Sequence, residues 1–304
     1  MRQQVTVRVP ASTSNLGPGF DCLGVALGIY NSITVWRTAK HERVEPIVFK
    51  AADLFFKTTK RRRFAFSCSA VEKIPRCRGL GSSATIRLGL LHGLNVLTGR
   101  SLDRFSIFRS CVELEGHPDN AAPCSFGGFT VARGENVQRF EVSSRLRFVL
   151  LIPEFEIQTT AARKILPARI ARTAAVESVS KACAITAAFA SQDYETLRGT
   201  FADQLHQPFR AKLIPFLPRV IAAAEKAGAL GAFLSGSGST ICAVTLRNPR
   251  KVAVAMQNAA RAAFAKAPAA KSRSSKIMIT TADNAGIQIK HQTSNIKHSH
   301  GSET

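Results

Sequence analysis

The sequence predicts a protein of mixed helices and strands folded as two domains. Three observations carry this expectation. The chain has 304 residues, enough for more than one core. Its apolar residues change from alternation, as at Val5, Val7 and Val9, to helical spacing over 84–98. Composition turns polar over 134–146 and apolar again at Phe148, which marks a boundary. The expected division is 1–146, 147–289 and a disordered polar tail over 290–304.

The elements follow in order. Residues 5–9 alternate as a strand and enter a turn-rich loop over 10–21, whose polar groups are Asn15 and Asp21. Residues 23–37 are β-branched enough for a second strand region, and 46–57 predict a short helix. The basic run 57–63 precedes a strand at 64–67 and reads more readily as a solvated loop than as a nucleic-acid contact. Ile86, Leu88, Leu90, Leu91, Leu94 and Leu97 suit a mostly buried helix that Gly99 closes. A helix over 101–115 ends in a charged loop over 115–123, and Gly127 and Gly128 lead to a strand at 129–132. The second half predicts a strand at 148–152 and helices at 159–165, 171–190, 193–204 and 211–227. A strand at 228–234, a glycine loop at 235–240, a strand at 241–244 and a helix at 250–266 complete it.

Hydrophobic residues at 45% and charged residues at 20% describe an ordinary globular chain. The net charge of +22 favours acidic partners but is spread along the chain, so it names none. Seven scattered cysteines with no C-x-x-C pair indicate reduced thiols, not a disulfide framework or a zinc site. The first residues lack the apolar block of a signal peptide, and no apolar run is long enough to span a bilayer. The expectation is a cytoplasmic protein with no membrane partner. In the tail, His291, His298 and His300 read as solvated, not as metal ligands.

The run Gly79, Leu80, Gly81, Ser82, Ser83 and Ala84 stands before the predicted helix at 84–98. Glycine allows tight turns and close backbone approach. A helix start offers unpaired N–H groups and a partial positive charge, which together hold an anion such as phosphate. Ser82 and Ser83 add hydroxyls, and either oxygen can reach a metal ion. No lysine follows, so this is not the G-x-x-x-x-G-K-[ST] loop. Gly-rich turns before helices are also ordinary caps, so the run alone leaves both readings open.

Three polar glycine loops, at 10–21, 79–84 and 235–240, and the charged loop at 115–120 together resemble the GHMP small-molecule kinases. The resemblance covers about 5–289. Residues 10–23, 74–84 and 234–240 match the three motifs of that superfamily. The loop His117, Pro118, Asp119, Asn120 and the segment 203–210 point, within it, to the members that act on homoserine. The resemblance implies an α+β fold: an N-terminal domain like domain 2 of ribosomal protein S5, a ferredoxin-like C-terminal domain, and the site between them. It implies ATP-dependent phosphorylation of the side-chain hydroxyl of L-homoserine, giving O-phospho-L-homoserine for threonine biosynthesis, with Mg²⁺. Homodimers are common among such kinases.

The residue chemistry agrees. A carboxylate suits an arginine fork, and Arg163 and Arg210 match the family's substrate arginines. An ammonium suits a carboxylate, and Asp21 is the candidate. Asn15 and His117 would position the hydroxyl and amino groups, with Asn120 shaping the same pocket. Asn15, Asp21 and Arg163 are the expected catalytic residues. Residues Arg78, Gly79, Leu80, Gly81, Ser82, Ser83 and Ala84 would hold ATP. Ser83 and Glu115 would hold Mg²⁺, with Glu113 the weaker alternative to Glu115. No strong general base stands out, which implies direct in-line attack by the substrate hydroxyl.

Cys77, Thr85 and Ser239 depart from the family pattern beside the loops, and Pro46 stands where an asparagine near the adenine is common. The rivals are a kinase of mevalonate, shikimate or galactose, a ligand sensor without catalysis, and a basic nucleic-acid-binding protein. Asp21 and His117 favour an amino acid, and intact glycine loops with Glu115 favour catalysis. The basic runs carry no interleaved aromatics, which weighs against nucleic acid.

Overall fold

The computed structural model describes residues 4–40, 42–266 and 274–292. The chain begins with β1 (Gln4–Ser14), β2 (Leu23–Arg37), α1 (Pro46–Thr59), β3 (Phe66–Val71), α2 (Ser82–Leu97), α3 (Arg104–Glu115), α4 (Ala121–Phe126), β4 (Phe129–Arg133) and β5 (Asn136–Phe140). It continues with β6 (Arg147–Pro153), α5 (Thr159–Lys164), α6 (Arg172–Ser191), α7 (Gln207–Arg210), α8 (Leu217–Lys226), β7 (Gly231–Leu234), β8 (Ile241–Thr245), α9 (Pro249–Lys266), β9 (Ser275–Thr280) and β10 (Gln288–Gln292). Two antiparallel sheets result. One has the order β10-β1-β2-β4-β5 with β3 also on β2, and the other the order β7-β8-β6-β9.

The long β1–β2 hairpin serves two cores. Val5, Val7, Val9, Ile33 and Val35 pack beneath α1, α2 and α3. Past the register shift between Pro10 and Ala11, Ala11, Leu23, Val25 and Leu27 join a second core with Phe148 and Leu150 of β6 and Phe189 of α6. Pro10 pairs with Tyr30 and Ala11 with Leu27, so β2 carries two extra residues there, and the bulge bends one hairpin from the helical layer into the space between the sheets. A third core lies on the far face of the second sheet, under α8 and α9. α2 lies close on β2: a Cβ on Gly89 would stand 2.6 Å from Ile33, and one on Gly93 2.5 Å from Val35. That close seat aims the N-terminus of α2 at the junction between the sheets.

Several expectations are corrected. Residues 10–14, expected as loop, continue β1, because β2 is long enough to pair with them. The helix expected over 193–204 is only a short 3-10 turn at Tyr194–Leu197. Gly199 turns with φ 75°, and the Asp203 carboxylate accepts the N–H groups of Leu205, His206 and Gln207, which starts α7 instead. The helix expected from 211 begins at Leu217. The last strand, β10, pairs with β1, so 288–289 close the first sheet and 290–292 are strand, not disordered tail. The rest of the tail, with His298 and His300, lies outside the described residues. Residues 60–63 are exposed beyond α1, as a solvated loop requires. Among the described residues no helix is long and apolar enough to cross a membrane.

Candidate functional site

A cleft of about 420 Å³ opens where the three glycine loops meet. Every expected site residue lines it except Ala84, which is fully buried inside α2 and offers only its backbone.

At one end the wall is backbone. Gly79 and Gly81 have φ of 72° and 71°, a left-handed conformation that side chains resist. A Cβ on Gly79 would stand 2.0 Å from the Ser235 carbonyl oxygen, and one on Gly81 2.2 Å from Ser12 Oγ. The outer side of the loop is held by other segments. Ser12 N–H donates to the Leu80 carbonyl (3.2 Å), Thr240 N–H to Arg78 (3.2 Å) and Ile157 N–H to Cys77 (3.2 Å). Ser235 Oγ donates to the Gly79 carbonyl (2.6 Å) and in turn takes the Thr13 hydroxyl (2.8 Å). The α2 N-terminus has no side-chain cap and no acidic residue in its first turn, so its amides face the cleft unneutralised. Ser82 Oγ is buried there without a partner. An orphaned hydroxyl beside unpaired amides fits a phosphate.

The Arg78 side chain is engaged by protein groups. Its guanidinium donates to the carbonyls of Pro153 (2.9 Å), Arg76 (3.1 Å) and Glu154 and pairs with Glu156 at 3.3 Å. It ties the glycine loop to the end of β6. Ser83 and Glu115 are brought together: Ser83 Oγ donates to Glu115 Oε2 at 3.0 Å, and Arg87 pairs with the other carboxylate oxygen. Glu113 is exposed and outside the lining, whereas Glu115 is part of it.

At the other end the wall is charged side chains, already paired. Arg163 grips Asp21 with two bonds, Nη1 to Oδ2 at 2.9 Å and Nη2 to Oδ1 at 2.6 Å. His117 Nδ1 lies 2.6 Å from Asp119 Oδ1. Burial works against charge on both, but the contact between them wins: the His117 pKa is raised and the Asp119 carboxyl is held below its usual range. The contact favours the charged form of His117, with Nδ1–H donating to the carboxylate. Asn120 accepts from Ser12 Oγ (2.8 Å) and donates to Asp119 (3.3 Å). Asn15 accepts the Asp21 N–H (3.0 Å) and donates to the Gly236 carbonyl (3.0 Å), joining the first and third loops. Arg210 is 2% exposed and donates to the carbonyls of Gly236 (2.9 Å) and Ala162 (3.2 Å). Burial and the Arg163 charge push its pKa down to about 10. Phe20 lies against both guanidinium groups, at 5.4 and 5.2 Å.

Sequence reasoning missed Asp119 and the Thr159–Ser237 hydroxyl contact (3.3 Å) across the cleft. Asp119 stands two residues after His117 with a proline between, a spacing that was available as a signal. Asp21, His117 and Asp119 offer ligand atoms within 4.8 Å of one another. Asp21 and Asp119 are paired there with Arg163 and His117, as Glu115 is with Arg87; Ser83 Oγ and Glu115 Oε2 are the oxygen pair that lies beside the α2 N-terminus.

Known proteins resemble this chain over most of its length. The model for the GHMP kinases N terminal domain matches residues 46–128, and that for the GHMP kinases C terminal matches 185–266. Homoserine kinase of Caldicellulosiruptor bescii is 37% identical over 261 residues, covering 80% of this chain and 85% of the relative. Homoserine kinase of Moorella thermoacetica is 37% identical over 277 residues, covering 86% and 92%. The crystal structure of homoserine kinase from Cytophaga hutchinsonii superposes with a TM-score of 0.84 at 26% identity, over 95% of this chain and 98% of that one. A mevalonate kinase structure at 15% identity and a TM-score of 0.68, covering 92% and 99%, shares the fold.

Proposed function

We infer the working of this cleft from one premise: the chain belongs to the homoserine kinases, within the GHMP kinases. Its activity is the transfer of a phosphoryl group from ATP to the side-chain hydroxyl of L-homoserine. The Asp21–Arg163 ion pair carries the assignment of roles. Two opposite charges facing a cleft complement a molecule that brings the same two charges. The homoserine carboxylate takes Arg163, with Arg210 behind it, and the ammonium takes Asp21. His117 and Asn15 border the hydroxyl arm.

The triphosphate lies on the amides of α2 and on Ser82. The residues present fit Mg²⁺: Ser83 Oγ and Glu115 Oε2 are two hard oxygen donors 3.0 Å apart. They would hold the ion, which neutralises phosphate charge when bound. The nucleoside runs toward Glu45, Pro46, Ile47 and Arg76 at the far end of the lining. Arg76 is braced there by Glu45 at 3.1 Å and by Glu72. The domains divide near 146, and the enzyme works in the cytoplasm on the route to threonine.

The chemistry needs no strong base. Asp21 is engaged by both bonds of the Arg163 fork, and Asp119, whose carboxyl is held below its usual range, by His117, so neither stands free as a base. The hydroxyl attacks the γ-phosphorus in line and its proton leaves late, to solvent or to a phosphate oxygen. Asp21→Asn tests this. It should raise the homoserine KM at least tenfold, the worth of one charged hydrogen bond, with kcat falling less. An unchanged KM with kcat lost would make Asp21 the base.

A further inference from the structure

His206 touches no solvent, and the chemistry above does not use it. Its ring nevertheless meets groups from three sides behind the substrate end. Nε2 lies 2.9 Å from the Gly17 carbonyl oxygen and 3.4 Å from the Asp203 carboxylate. Nδ1 lies 3.3 Å from Arg210 Nη1. Phe20, which covers both substrate arginines, stacks on the ring at 5.2 Å and 29°. Acceptors surround Nε2 and a guanidinium faces Nδ1. One state satisfies all three contacts: a neutral ring with its proton on Nε2, which leaves Nδ1 to accept from Arg210. The groups facing the ring are Asp203 on its own segment, Arg210 on α7 and, more distantly, Asp21 of the first loop. Burial outweighs the acids and pushes the pKa down to about 4, in keeping with the neutral form.

We propose that His206 is a positioning residue for substrate selection: its neutral ring fixes the Arg210 guanidinium against the homoserine carboxylate and moors the first loop through Gly17. This rests on Arg210 reading the carboxylate. Without the ring, Arg210 keeps its carbonyl partners but loses the acceptor on the face toward the first loop. Phe20 loses its stacking partner, and the two substrate arginines are no longer held by one aromatic plate. None of the ring's own contacts is to residues 79–83, so nucleotide binding should sense its loss much less than homoserine binding does.

The test is steady-state kinetics of the full chain with His206→Asn, His206→Gln and His206→Phe. Asparagine keeps an acceptor near Nδ1, glutamine keeps a donor near Nε2, and phenylalanine keeps only the stack. Each is assayed with L-homoserine and with the diol in which CH₂OH replaces the carboxylate. The expected result is a homoserine KM about tenfold higher in the Gln and Phe variants and less affected in Asn, as loss of one hydrogen bond to a charged group predicts. ATP KM should stay within about twofold on the same scale. The preference of kcat/KM for homoserine over the diol should shrink in Gln and Phe alone. Unchanged preference in variants that bind ATP normally would overturn the proposal, as would an equal rise in both KM values. Should Phe not fold, Asn against Gln decides alone. Failure of the underlying reading looks different: the wild-type chain itself would show no preference for homoserine over the diol.

Discussion

The two ends of the cleft are built from different materials. The phosphate end is backbone: two glycines at positive φ, an uncapped helix start and an orphaned hydroxyl. The substrate end is charge: Asp21 with Arg163, His117 with Asp119, and a buried Arg210. Backbone amides hold any phosphate, because every peptide supplies the same donor. Charged side chains set at fixed spacing discriminate, because a ligand with the wrong charges leaves one of them desolvated and unpaired. General grip and particular choice are thereby separated in space.

The largest effect should come from the phosphate end. Gly79→Ala places a Cβ 2.0 Å from the Ser235 carbonyl and forces a left-handed alanine. Strain and displacement on the order of 3 kcal/mol should cost about a hundredfold or more in ATP affinity. Calorimetric titration with ATP checks this, and an affinity within a few-fold of wild type would break the distinction between the ends. Next, Arg163→Lys swaps a bidentate fork for a point charge and frees Asp21. Homoserine kcat/KM should fall roughly thirtyfold, from losses of about 2 kcal/mol, with the ATP KM nearly unchanged. A shift in the ATP KM alone would put Arg163 at the wrong end. A smaller effect is expected for Ser83→Ala, which removes one oxygen beside Glu115. The Mg²⁺ concentration for half-maximal rate should rise about tenfold with the homoserine KM unmoved; no change in the Mg²⁺ requirement excludes Ser83 as a ligand.

The smallest effect concerns pH and stability. His92 in α2 and His206 are both buried, and burial pushes both pKa values down from 6.5 to about 4. The unfolded chain therefore binds more protons than the folded one between those values. Stability is complete above the unfolded value and falls as pH drops through the interval. The melting temperature should decline across it. His92→Leu should flatten part of the decline without altering either KM, since His92 lies outside the cleft lining. An equally steep decline in that variant would assign the loss to other groups.

The same contrast explains what the sequence revealed. Gly79 to Ala84 was legible because a backbone site leaves a compact signature of small residues in one run. Asn15, Asp21, His117, Arg163 and Arg210 could be chosen from their motifs, but their mutual pairing could not, since Arg163 and Asp21 are 142 positions apart. The contacts of Arg78 were hidden for the same reason: it stands in the glycine motif, yet its acceptors at 153 and 154 belong to β6 and the segment after it. Asp119 escaped notice because an aspartate in a turn ordinarily caps it. In the fold, strongly periodic segments such as α2 and β6 were clear. The segment 193–204 has helical composition, but Gly199 and the Asp203 side chain outweigh propensity there. β10 was hidden because its pairing with β1 joins the two ends of the described chain.

One assay addresses the central claim that charge at the substrate end, and not the phosphate grip, selects the acceptor. ATP consumption is followed with Mg²⁺ and saturating homoserine, serine, mevalonate, shikimate or galactose in turn. The account predicts rapid turnover of homoserine, much slower turnover of serine, whose hydroxyl arm is one carbon shorter, and essentially none of the three acceptors that lack an ammonium for Asp21. Comparable turnover of mevalonate or galactose, or none of homoserine, would contradict it.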